Sequence, residues 1–366
     1  MIELENLTKR YGTLTAVDHI SCRIEAGKLY GFLGVNGAGK TTTMNMITGC
    51  LAPTEGRVTI CGEDLLLSPV AAKKNIGYLP ERPPLYPDLT VSEYLSFVAD
   101  AKGIPASRRR GEIARVMEEV NVTKVADKLI GNLSKGYWQR VGLAQAILGD
   151  PAILILDEPT ASLDPRQIVE IRRLIRSLKG KHTILLSSHI LSEVAELCDV
   201  ILILSEGKLV ATDTLQNLQA EYLHTDTVHL TVRCAVARCE AEIRRISGVQ
   251  KISATEQGSL TQLTIECKKG VDIREELFYL FSQLRCPILS MTLHEASLEE
   301  VFLNATRPGA KSPRPASDAP TGRAIRSKKS AKPAAAPVKK APPTPSVPED
   351  EDEDDYKPLF GGKEQK

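Results

Sequence analysis

Gly34-Val35-Asn36-Gly37-Ala38-Gly39-Lys40-Thr41 is the stretch from which the rest of the chain can be read. It fits G-x-x-x-x-G-K-[ST], a glycine-rich turn whose successive backbone N–H groups can converge on phosphate oxygens. The apolar run Leu29 to Leu33 precedes it and a helical stretch ending at Gly49 follows, the strand–loop–helix context that the pattern requires. Lys40 places a positive charge for the β and γ phosphates of a nucleotide, and the Thr41 hydroxyl can ligate Mg²⁺. Gly34, Asn36, Gly37, Ala38, Gly39, Lys40, Thr41 and Thr42 are therefore the candidate nucleotide-binding positions.

Working outward, Ile153-Leu-Ile-Leu-Asp157-Glu158 reads as a buried strand ending in two carboxylates. Ligands of parallel α/β sheets bind at that end of a strand. Asp157 can hold Mg²⁺, directly or through water, and Glu158 can polarise an attacking water. Thr183 to Ser187 and Val200 to Leu204 read as further buried strands. Asp164-Pro165 is a capping acceptor ahead of a first-turn proline, followed by Ile168, Ile171, Leu174, Ile175 and Leu178 at helical spacing and closed by Gly180. From about 88 to 149 the pattern is mostly helical, with Thr90-Val-Ser-Glu93 a capping box. The expected fold is α/β, with a helical insertion.

Composition narrows the classes. The chain has 366 residues, 42% hydrophobic and 25% charged, a globular balance. No apolar run approaches the ~18 to 20 residues of a spanning helix. Acidic residues at Glu3 and Glu5 stand where a secretion signal carries basic ones, so neither secretion nor direct membrane insertion is expected. The first 303 residues carry a net charge of −3, which does not suit a general nucleic-acid binder. Eight cysteines without a Cys-x-x-Cys pair are expected to be reduced and partly buried, with no metal site.

Between the loop and the acidic strand lies Leu133-Ser-Lys-Gly-Tyr-Trp-Gln-Arg140, opening a helix. With it the chain resembles the ATP-binding subunits of ABC transporters, whose signature reads LSGGQ. The resemblance covers roughly residues 1–220 and its motifs come in family order. It implies that Tyr11 stacks on adenine, that Glu81 in Gly77-Tyr-Leu-Pro-Glu occupies the Q-loop position near Mg²⁺, and that Ser134 and Gly136 meet a γ-phosphate. It likewise makes Ser162-Leu-Asp164 the D-loop and His189 the switch histidine, beside Glu158 as the second catalytic residue. Taken singly, Tyr11 is more often a core aromatic and His189 more often a satisfied surface or core histidine, and Ser134 can be only a helix cap; Trp138 reads as packing. Lys135 and Tyr137 depart from the signature, and Glu81 replaces the family's glutamine. LSKGY with GYLPE is similar to the type-2 exporter group that contains daunorubicin-resistance and gliding-motility subunits.

The resemblance implies an ATPase, with ATP and Mg²⁺ as cofactors, that powers an exporter through separate membrane-spanning permease subunits. It implies a homodimer or paired ATPase subunit with the nucleotide sandwiched, a cytoplasmic location on the inner face of the membrane, and no nucleic-acid partner. The competing class is a soluble ABC ATPase of DNA repair or translation. Repair members carry long coiled-coil insertions and translation members two nucleotide domains; neither is present. A nucleotide-binding regulator without turnover conflicts with the Asp157-Glu158 pair.

The expected ATP-binding domain is 1–221. Residues 222–306 form a smaller α+β unit whose strands and helices read βαββαβ, a ferredoxin-like split, with helices near Val236 to Ile246 and Ile273 to Leu284. Ser297-Leu-Glu-Glu-Val-Phe-Leu303 follows as a capped amphipathic helix. The unit shows no chemistry and is assigned to dimer or partner contact. Residues 307–366 are expected to be a disordered tail, rich in Pro, Lys and Ala and then acidic over Glu349 to Asp355.

Overall fold

The computed structural model describes residues 1–307 apart from positions 224, 295 and 296. The tail expected over 307–366 lies, from 308 onward, outside the described residues.

The chain begins with a hairpin of β1 (Ile2–Tyr11) and β2 (Leu14–Ile24), then β3 (Leu29–Leu33), every residue of which is buried. The glycine-rich loop follows, then α1 (Lys40–Ile47), which stops at Gly49 in a left-handed turn. β4 (Glu55–Ile60) and β5 (Glu63–Asp64) complete an antiparallel sheet in the order β2-β1-β4-β5. α2 (Pro69–Lys74) leads to β6 (Ile76–Leu79). The helical insertion comprises α3 (Val91–Ala101), α4 (Ala106–Glu119) and α5 (Lys135–Ile147); the expected Thr90–Glu93 capping box opens α3. Next come β7 (Ile153–Asp157), α6 (Pro165–Leu178) and β8 (Thr183–Ser188), then α7 (Leu191–Leu197), β9 (Val200–Ser205), β10 (Lys208–Asp213) and α8 (Leu215–Tyr222).

The principal sheet runs β10-β9-β3-β8-β7-β6, parallel throughout except at the β10 edge. Its central strands are covered on both faces, which is why they are continuous apolar runs. Alternation still sorts their side chains. Ile153 and Ile155 enter the core beneath the antiparallel sheet, while Leu154 and Leu156 enter the core shared with α3, α4, α5 and α6. Each such burial contributes about 1.5–3 kcal/mol. The helical insertion is seated closely: a Cβ on Gly77 of β6 would lie 2.2 Å from the Ala146 carbonyl oxygen of α5. At the far end of α3, Lys102 Nζ donates to the carbonyl oxygens of Gln145 (2.6 Å) and Leu148 (2.7 Å), satisfying the C-terminus of α5.

The remaining strands form a second antiparallel sheet. β11 (Thr225–Val232), α9 (Val236–Ile243), β12 (Val249–Gln257), β13 (Leu260–Lys268), α10 (Arg274–Gln283) and β14 (Ile288–His294) give the expected βαββαβ order. The sheet order is β12-β13-β11-β14, with α9 and α10 sharing one core with it. α9 ends three residues before its expected limit, where the chain tightens through Ile246 N–H donating to the Ile243 carbonyl. The last helix, α11 (Leu298–Ala305), returns to the larger body. Leu298, Val301 and Phe302 pack with Val194 of α7, Leu218 of α8 and Leu33 of β3, and Asn304 Nδ2 donates to the Tyr222 carbonyl at 3.3 Å.

Candidate active site

The register of the principal sheet brings the sequence motifs to one edge. Leu33 pairs with Ser188 and Asp157 with Ser187, so the glycine-rich loop, the two acids and the His189 loop all leave the carboxyl ends of neighbouring strands.

The loop is shaped by contacts that exclude a side chain. A Cβ on Gly39, whose φ is +100°, would lie 2.5 Å from the Ala16 carbonyl oxygen of β2. Gly37 is also left-handed, and Ala38 N–H donates to the Val35 carbonyl at 3.1 Å. Lys40 is buried at 7% exposure, its Nζ donating to the Gly34 carbonyl at 2.8 Å, so its ammonium lies inside the curve of the loop. Asn36 is exposed, Thr42 partly so, and Thr43 Oγ1 donates to the Gly39 carbonyl at 2.9 Å.

Asp157 is 1% exposed. Burial pushes its carboxyl above the ordinary value; hydrogen bonds from Ser187 and Thr41 hold it down, the Glu81 charge pushes it up, and the Lys40 charge lowers it. These four residues therefore share one electrostatic environment, with hard oxygen donors from Thr41 and Asp157 adjacent. Such a donor set suits a small divalent cation that keeps waters and phosphate oxygens as its other ligands.

Glu158 adopts φ +48°, a conformation that non-glycine residues rarely take. Its N–H donates to Ser187 Oγ at 3.0 Å, and its Oε2 accepts from His189 Nδ1 at 2.7 Å. The carboxylate is largely enclosed, whereas the imidazole is 55% exposed. A carboxylate so placed can accept a proton from a bound water, and the adjacent imidazole can orient what lies before it. The loop beyond is also strained, with Ser162 at φ +63°.

Other candidates lie apart from this edge or serve locally. Tyr11 ends β1 with half its surface exposed and Lys9 Nζ 5.4 Å from its ring centroid. Asp164 caps α6, accepting from Gln167 N–H at 2.9 Å. Ser134 caps α5, accepting from Tyr137 N–H at 3.5 Å. Gly136 is buried against the Gln167 side chain, where a Cβ would lie 2.7 Å away, and with Ser134 it lines a cavity of about 700 Å³ between α5 and α6. Among the described residues no hydrogen bond or ion pair joins Ser134 or Gly136 to the phosphate loop. Trp138 packs as expected, its Nε1 donating to the Pro83 carbonyl at 3.3 Å. The eight cysteines are free, four of them buried in the second sheet's unit.

Three residues of this edge are not evident in sequence. Ser187 bridges Asp157 and the Glu158 N–H; Thr160 and Glu193 form a buried pair behind them, Thr160 Oγ1 donating to Glu193 Oε2 at 2.8 Å. The available signal was an acid, Glu193, standing in the apolar stripe of Val194 and Leu197.

The ABC transporter family model matches residues 17–161. The bacitracin transport ATP-binding protein BcrA of Bacillus licheniformis is 36% identical over 314 residues, 83% of this chain and 96% of that protein. The solved ATP-binding subunit of an ABC transporter superposes with a TM-score of 0.56 at 30% identity, over 61% of this chain and 93% of that one. A dimeric, post-hydrolysis ATP-binding cassette bound to ADP and Pi superposes with a TM-score of 0.53 at 25% identity, over 59% and 99% respectively.

Proposed function

The chain belongs to the ATP-binding subunits of ABC transporters, and from that premise we propose that it hydrolyses ATP to drive an exporter whose membrane spans lie on a separate permease. The observation that carries the catalytic reading is the convergence of the phosphate loop, Asp157, Glu158 and His189 at the carboxyl ends of β3, β7 and β8.

The backbone N–H groups of Gly37 to Lys40, with Thr41 and Thr42 at the start of α1, bind the phosphates, and Lys40 supplies the fixed cation. Thr41 and Asp157 would hold Mg²⁺, with the Glu81 charge acting on the same carboxylate, and the ion would supply neutralising charge for the β and γ phosphates. Glu158 accepts the proton of the attacking water, and His189, held at 2.7 Å from it, contacts the γ-phosphate side of the site. Tyr11 offers its exposed face to the adenine. Ser134 and Gly136, which make no hydrogen bond to the loop of their own chain among the described residues, serve the nucleotide of a second subunit, with Asp164 at the same seam. The dimeric cassette among the structural relatives supports that arrangement.

Residues 1–221 constitute the ATP-binding domain and 222–306 an accessory unit for dimer or partner contact. Among the described residues no helix is long and apolar enough to cross a membrane. Its kinship with transporter ATP-binding subunits supports a place at the inner face of the membrane, held there by its partner. Affinity purification of the full chain from detergent-solubilised membranes tests the transporter reading. A co-purifying polytopic protein that stimulates ATP hydrolysis is the expected result; recovery of only ribosomal or DNA-bound partners would refute it.

A further inference from the structure

We propose that Glu193 is a positioning residue that sets the spacing between Glu158 and His189, by tying the loops that carry them to one buried carboxylate. The inference rests on the reading of Glu158 and His189 as the hydrolytic pair.

Glu193 lies in the first turn of α7 and is 1% exposed. Its Oε2 accepts from Thr160 Oγ1 at 2.8 Å and from Ser188 Oγ at 3.0 Å. Thr160 stands two residues after Glu158, and Ser188 immediately before His189. One oxygen atom therefore anchors both loops within two residues of the groups that they present. The Ser188 hydroxyl also accepts from Ile190 N–H at 3.0 Å, so His189 is held from both sides by the same anchor. The other oxygen, Oε1, pairs with Arg172 Nη2 at 3.1 Å, and Arg172 reaches Glu196 at 3.0 Å. Arg172 lies two turns into α6, the helix capped by Asp164, so the chain is tied to α7 both at Thr160 and again within α6.

The fold alone gives little reason for this arrangement. A buried ion pair is often neutral or costly compared with apolar residues of the same volume. Here the carboxylate is buried on a helix whose other buried residues are Val194 and Leu197, yet it collects two hydroxyls and a guanidinium from three other elements. The strained backbone at Glu158 and Ser162 must be held from outside, and the Glu193 cluster supplies part of that restraint. A group moved by a fraction of an ångström from its reacting position loses rate steeply while ground-state binding is kept.

The test uses the full chain with Mg-ATP and compares Glu193→Gln, Thr160→Val and Thr160→Ser with Glu158→Gln. Turnover is expressed per nucleotide-competent site, counted by calorimetry, so loss of folded protein does not register. Glu193→Gln and Thr160→Val are expected to lower kcat by ~10- to 100-fold with KM and ATP affinity unchanged. Thr160→Ser restores the hydroxyl and should turn over like wild type. Should Glu193→Gln fail to fold, the valine and serine variants at 160 decide by themselves. Equal kcat in those two variants overturns the proposal, as does wild-type turnover in Glu193→Gln while Glu158→Gln is inactive. Retained turnover in Glu158→Gln would instead remove the catalytic reading, and this inference with it.

Discussion

Ser187 Oγ donates a 2.5 Å hydrogen bond to Asp157 Oδ1 across the neighbouring strands β8 and β7. Burial raises the Asp157 pKa, and this bond is the largest influence opposing the rise. Ser187→Ala should therefore raise that pKa further. If ionised Asp157 is the form that holds Mg²⁺, the acid limb of the kcat/KM profile moves to higher pH in the variant. A pH–rate series on both proteins measures the shift, and coincident acid limbs would contradict the assignment of Asp157.

The same carboxylate has a stability consequence of opposite sign. A raised folded pKa means that this group contributes stability below its unfolded pKa, which is lost as pH rises through the folded value. At neutral pH the charge is a net cost to folding. Asp157→Asn should consequently unfold no earlier than wild type in urea at pH 7 while losing Mg²⁺-dependent nucleotide binding. A markedly earlier midpoint would show that the carboxylate's hydrogen bonds outweigh its desolvation.

Lys40 lies inside the phosphate loop with its Nζ on the Gly34 carbonyl. Lys40→Ala removes the fixed cation facing several phosphate charges. Charge-assisted hydrogen bonds contribute about 1.5–3 kcal/mol each, so ATP affinity should fall on the order of 100-fold or more. Calorimetry reads this directly, and unchanged affinity would refute the loop assignment.

Glu158→Gln keeps size and shape but removes the charge and the proton-accepting capacity. Phosphate release should slow by ~10²- to 10⁴-fold while ATP and Mg²⁺ still bind. Slow turnover should then let an ATP-dependent dimer accumulate, visible by size-exclusion chromatography with and without Mg-ATP. Turnover near wild type would exclude Glu158 as the base. Lost turnover without a dimer would place the sandwich in doubt for the isolated subunit.

Gly77 allows β6 to lie directly on α5, with no room for a Cβ beside the Ala146 carbonyl. The obstacle is backbone on a helix that Lys102 holds by its last carbonyls, so it cannot simply rotate away. Gly77→Ala should destabilise the protein by about 1–3 kcal/mol, measured by urea unfolding. An unchanged midpoint would mean that α5 shifts freely against the sheet.

Much of this molecule could be read locally. The loop at Gly34 to Thr41, the Thr90–Glu93 box and the Asp164 cap are signals contained within a few residues, and each appears where its chemistry requires. The βαββαβ order followed from alternating periodicity in the same way. Pairings between distant segments were not legible. Ser187 meets Asp157 across thirty positions because the register of β7 and β8 sets them side by side, and Glu193 meets Thr160 across thirty-three because α7 starts beside the loop that leaves β7. A serine at a strand end and a glutamate on a short helix have no spacing that announces such partners. The return of α11 to α7 and α8 was hidden for the same reason: its apolar stripe states that it packs, and only the topology states against what.

That return has an architectural consequence. Tyr222 and Asn304 touch, so the chain from 225 to 294 leaves the larger body and rejoins it at one point, as an insertion does, instead of hanging from a single tether. The closing helix packs on the cassette although it is written after the second sheet. The intervening module is also tied to that seam, because Lys269 Nζ donates to the Gln219 carbonyl at 2.5 Å and to the Leu223 carbonyl at 3.2 Å, at the end of α8. Any pull on that module would reach the cassette as shear along this seam, whose inner end rests on Leu33, the last residue before the phosphate loop.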